Sequence, residues 1–96
     1  MKMIMVVYNE AIDVEVMEIL EGCGLVNYTK INRVHGKGTT SGTHLASQVW
    51  PGQNKILYVA CDDKQVEQVV SGVTNLRKTL GKEGVKAFVM PLEQIT

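Results

Sequence analysis

The sequence predicts an α+β domain with elements in the order β-α-β-β-α-β, and three observations lead to it. Apolar runs of strand length, rich in Val, Ile and Tyr, occur at Lys2–Tyr8, Lys55–Cys61 and Val85–Leu92. Two other stretches repeat their apolar residues at helical spacing. Between the halves lies a segment, Val34 to Asn54, so dominated by Gly, Ser, Thr and His that it cannot supply a core.

The first strand is the nearly unbroken run Lys2–Tyr8, ended by Asn9 and Glu10. Ile12, Val16, Ile19, Leu20 and Cys23 then recur on one helical face, while Asp13, Glu15, Glu18 and Glu21 point elsewhere. The acids near the start suit the positive end of a helix, and Gly22 or Gly24 supplies the stop. Leu25–Val34 mixes polar and β-branched residues, as a partly exposed second strand would. The loop closes at the turn sequence Trp50-Pro51-Gly52-Gln53-Asn54, and a third strand follows over Lys55–Cys61. Asp62 with Gln65 predicts a capping box, after which Val66, Val69, Val70, Val73, Leu76 and Leu80 mark one face of a helix reaching Gly81. In the last strand, Val85–Leu92, Pro91 lacks an N–H, which argues for a sheet edge.

Right-handed crossovers in such a chain put both helices on one face of a four-stranded antiparallel sheet, the ferredoxin-like arrangement. The strands at Met3–Val7 and Ile56–Cys61 are nevertheless apolar at both parities, so the face without helices is apolar too. A patch of that kind is rarely left in water, and it predicts association between copies of the chain.

Composition narrows the function classes. Ten Lys and Arg balance ten Asp and Glu, which leaves no electrostatic footprint for DNA or RNA. The amino-terminal apolar run is too short for a signal peptide or a membrane span, so a cytoplasmic protein is expected. Cys23 and Cys61 are too few for a disulfide framework and are read as small core residues. No nucleophile and base stand at a recognisable spacing, so the expected activity is not enzymatic. Gly36-Lys37-Gly38-Thr39 is not a P-loop: Ile31 occupies the place of its first glycine, and no hydroxyl residue follows the lysine directly.

The opening Met-Lys-x-Ile strand, the helix ending at Gly24, the Tyr28-Thr29 strand, the glycine-marked loop and Phe88-Val89-x-Pro91 with Glu93 together resemble the PII signalling protein superfamily. The resemblance covers nearly the whole of residues 1–96 as a single domain and implies a PII-like trimer with the bare sheet faces turned inward. It also implies that the loop between the second and third strands is a T-loop, shorter than in PII proteins proper and without their modified tyrosine. Thr39, Thr40, Ser41, Gly42, Thr43 and His44 would then dock on a target protein, which in the superfamily is often a membrane transporter or a metabolic enzyme.

By the same resemblance, a small effector binds in the clefts between subunits. Thr29, His35, Gly36, Lys37 and Gly38 would line one side, and Gly81, Lys82, Gly84 and Lys86 the other. In the family's phosphate loop, roughly Thr-Gly-x-x-Gly-Asp-Gly-Lys, Gly81, Gly84 and Lys86 have counterparts here; the threonine, the aspartate and one glycine do not, nor does the basic tail. The effector's identity is therefore open, and an adenine nucleotide in the family's usual mode is not implied. The alternative function is a trimer resembling CutA that binds a divalent metal through His35 and His44. Trp50 is read as packing at a core rim or interface.

Overall fold

A computed structural model describes residues 1–36, 53–80 and 84–96. The strands are β1 (Lys2–Asn9), β2 (Thr29–Val34), β3 (Asn54–Cys61) and β4 (Val85–Pro91), and the helices α1 (Asp13–Gly22) and α2 (Asp63–Leu80). One 3-10 turn, Glu10–Ile12, leads into α1. The four strands form one antiparallel sheet in the order β2-β3-β1-β4, which is the predicted ferredoxin-like topology. Pro91 ends the edge strand β4, as its missing donor requires.

Alternation along the strands assigns the two faces. Ile4, Val6 and Tyr8 of β1, Leu57, Val59 and Cys61 of β3, and Val85 of β4 are buried against Val16 and Leu20 of α1 and Val69 and Val73 of α2. Gly72 allows the helices to approach closely, since a Cβ there would lie 2.9 Å from Ile19 Cγ2. Val70 and Leu80 share the predicted apolar stripe of α2 but remain exposed, because that stripe is broader than the core beneath it.

The cap signals are met in detail. The Gln65 N–H donates to Asp62 Oδ1 (2.8 Å) and the Asp62 N–H to Gln65 Oε1 (3.1 Å), the reciprocal pair of a capping box. At the end of α1, Gly24 takes φ +74°, its N–H donates to Glu21 O and the Leu25 N–H to Leu20 O. This Schellman closure turns Leu25 back into the core beside Leu20. The second strand consequently starts at Thr29, four residues later than the sequence pattern predicts, and Val26 and Tyr28 lie exposed in the connection.

One polar cluster holds three elements together under the helix face. Asp13, in the first turn of α1, accepts from the Tyr8 hydroxyl of β1 (2.6 Å) and from Lys30 Nζ of β2 (2.9 Å). Burial works to raise the Asp13 pKa, but the two hydrogen bonds and the Lys30 and Lys55 charges outweigh it and hold the carboxyl below its ordinary value. The Tyr8 hydroxyl is pushed up, first by burial and then by its bond to the carboxylate.

Because the folded carboxyl is the stronger acid, its contribution to stability is complete above the ordinary aspartate range near pH 4 and is lost as the pH falls through the folded pKa. Asp13→Asn should therefore cost about 1–3 kcal/mol at pH 7. The gap from the parent protein should close below about pH 4 in urea melts taken across that range. A gap unchanged at pH 3 would show that the charge contributes nothing.

Candidate functional site

The antiparallel topology collects the loop-bearing ends of all four strands at one end of the sheet. Val34 of β2 stands opposite Asn54 of β3, and Asn54 stands opposite Asn9 of β1. The Asn9 N–H donates to Gly84 O (3.0 Å) and the Glu10 N–H to Gln53 O (2.9 Å). Two neighbouring residues thus hold both the return from the long loop and the return from the glycine loop. Arg77 of α2 adds a bond from Nη1 to Val85 O (2.7 Å), fixing the entry to β4 from the helix side.

Asn9 itself is nearly inaccessible, 3% exposed. Its Oδ1 accepts from the Ala11 N–H (2.9 Å), capping the 3-10 turn, while its buried Nδ2 has no hydrogen-bond partner among the described residues. An unsatisfied buried amide costs about 1–3 kcal/mol and calls for an explanation. Nothing in the sequence pattern marks Asn9 beyond its place as a strand breaker.

At the base of the long loop, β2 carries a bulge. Asn32 pairs with Lys55 and Val34 with Asn54, leaving Arg33 as the extra residue, with φ +59°. That left-handed conformation is unfavourable for a residue with a Cβ, and it turns the exposed edge strand just before His35 and Gly36. Sequence reading missed it because arginine carries no turn signal.

The predicted site residues fall into three groups. His35 and Gly36 are exposed immediately after β2, and Gly84 is buried at the entrance to β4. Thr29 and Lys86 are exposed on the face without helices. There they lie on opposite edge strands, three inter-strand spacings apart, or about 14 Å. One chain therefore does not bring them together. Lys37, Gly38, Gly81 and Lys82, the whole predicted docking run Thr39, Thr40, Ser41, Gly42, Thr43 and His44, and Trp50 lie outside the described residues.

The face between Thr29 and Lys86 is apolar. The ladders place Thr29, Tyr58, Met5 and Phe88 in one row, Ile31, Ile56, Val7 and Lys86 in the next, and Ala60, Met3 and Met90 in a third. Ile31 and Phe88 are 41% and 44% exposed.

Elsewhere the chemistry is sparse. No helix among the described residues is long and apolar enough to cross a membrane. No cluster of three or more His, Cys, Asp or Glu among them could hold a metal ion. Burial pushes the Cys23 and Cys61 thiols up, away from the reactive thiolate.

If the Arg33 conformation is fixed by the bulge, Arg33→Gly should be more stable than Arg33→Ala by about 1 kcal/mol. Chemical denaturation of the two variants measures this directly. Alanine equal to or better than glycine would mean that the bulge relaxes away.

The family model described as nitrogen regulatory protein P-II matches residues 1–96. No curated protein matches the sequence. Among solved structures, the chain is similar to the apo form of CPII, a nitrogen regulatory PII-like protein from Thiomonas intermedia. The TM-score is 0.70 at 15% identity, over 92% of this chain and 84% of that one. CPII bound to ADP, AMP and acetate gives 0.68 at 15% identity, over 93% and 82%. A PII-like signalling protein from Thermus thermophilus gives 0.58 at 20% identity, over 92% and 81%. At these identities the structural likeness supports the ferredoxin-like fold, while the sequence match extends over every residue: the chain belongs to the nitrogen regulatory protein P-II family.

Proposed function

We propose that residues 1–96 act as one regulatory unit, a PII-like homotrimer that works in the cytoplasm without catalysing a reaction. A small effector binds in its inter-subunit clefts and controls a target protein, such as a membrane transporter, through the T-loop. The observation that carries this reading is the apolar face with Thr29 and Lys86 at its opposite edges. Packing that face against copies of itself removes it from water and offers the two edges of neighbouring chains to one another. An effector cleft then has walls from two chains, with His35 and Gly36 on one side and Gly84 and Lys86 on the other.

CPII, whose fold this chain shares, is known in complexes with ADP, AMP and bicarbonate. That precedent supports small anions as the effector class. The effector acts by population shift: it orders the long loop only to the extent that it binds one loop state better than the others. Asn9 and Glu10, which bond to both loop returns, provide the physical link between cleft and loop.

In sedimentation equilibrium the protein should run at three times the mass of its chain, and Met5→Lys, which places a charge in the middle of the apolar face, should lower that mass. A monomeric parent protein would end this reading. Calorimetry against ATP, ADP, AMP and bicarbonate should give heat with at least one of them. Lys86→Ala should weaken that binding about tenfold or more, the loss expected for one charge-assisted contact. Heatless titrations across the panel would reject the effector.

A further inference from the structure

Among the described residues, the end of the sheet carries an amide donor that neither the fold nor the loop anchors use. We propose that Asn9 forms the polar floor of the effector site, with its Nδ2 donating to an oxygen of a small oxyanion such as a phosphate or carboxylate group. This rests on the effector reading above and adds a contact residue to it.

Three observations support the assignment. Asn9 is 3% exposed, and its Nδ2 is unpartnered among the described residues. Its other side-chain atom is committed, because Oδ1 accepts from the Ala11 N–H; this also fixes which end of the amide is the free donor. The residue stands where the two loop returns meet, its own N–H on Gly84 O and its neighbour's on Gln53 O.

Charge selects the ligand class. An NH2 group takes only an acceptor. Around this end stand Arg33 at the bulge, Lys55 across the ladder from Tyr8, and Lys86 two residues beyond Gly84. Of the nearby acids among the described residues, Asp13 is already bonded to Lys30 and Tyr8, which leaves Glu10. Among the described residues, a negatively charged oxygen therefore finds more positive than negative charge and a donor that no other group uses.

Asn9→Ser and Asn9→Asp test the assignment, since both keep an oxygen that can cap the Ala11 N–H and both remove the amide donor. The trimer is titrated with ADP, AMP, bicarbonate and inorganic phosphate by calorimetry, alongside thermal melts. The expected result is at least a tenfold loss of affinity in both variants for whichever probe binds the parent protein, with the melting temperature of Asn9→Ser, which buries no charge, close to the parent's. Should the variants fold poorly, the parent protein suffices. In nitrogen-edited NMR spectra the Asn9 side-chain amide protons should shift and exchange more slowly with solvent when the binding probe is added.

Parent-like affinity in the folded variants, or an unmoved Asn9 amide signal at saturation, would overturn the assignment and leave the effector reading intact. If no probe binds the parent protein, both fall together.

Discussion

A four-stranded sheet with two helices can cover only one of its faces from within its own chain, and here both faces are apolar. Nearly everything else follows from that mismatch. The helix side is closed by Val16, Leu20, Val69 and Val73 against β1 and β3, and Gly72 lets the two helices approach closely at Ile19. The other side keeps Met3, Met5, Val7, Ile56, Tyr58 and Phe88 in register across three strands. Hydrophobic burial scales with the area removed from water, so the free energy available on that face is realised only by another surface of similar shape.

The same topology decides where chemistry can gather. In a sheet ordered β2-β3-β1-β4, the end of β2, the start of β3, the end of β1 and the start of β4 all lie together, so two loops distant in sequence return to adjacent backbone positions. Asn9 and Glu10 bond to both returns. The Tyr8–Asp13–Lys30 cluster beneath them ties β1, β2 and α1 to a single carboxylate. The scaffold at this end is thus fixed by hydrogen bonds from the helix side.

Much of this was legible in the sequence, and the reasons are physical. Strand parity, helical spacing, the Asp62–Gln65 cap and the glycine stop are local rules, so the element order, the edge position of Pro91 and the family resemblance could be read directly. The start of β2 was misplaced because Leu25 is apolar for a tertiary reason: it closes the Schellman turn against Leu20 instead of entering the sheet. Arg33 and Asn9 left no trace in the pattern. A bulge is a mismatch between two strands, and an unpaired amide depends on what surrounds it; neither is a property of one stretch of chain. The separation of Thr29 from Lys86 likewise depends on strand order, which places on opposite edges two residues that the family resemblance puts in one cleft.

The bulge at Arg33 has a bearing on solubility. An open sheet offers its outermost strands as templates on which further strands can add without limit, the route to fibrils. Here one border is bent out of line at Arg33, and the other carries Lys86 and ends in a proline that cannot donate. Growth sideways is discouraged on both flanks, while the greasy side remains open to contact. The geometry thereby favours assemblies that finish at a small number of subunits over those that keep lengthening.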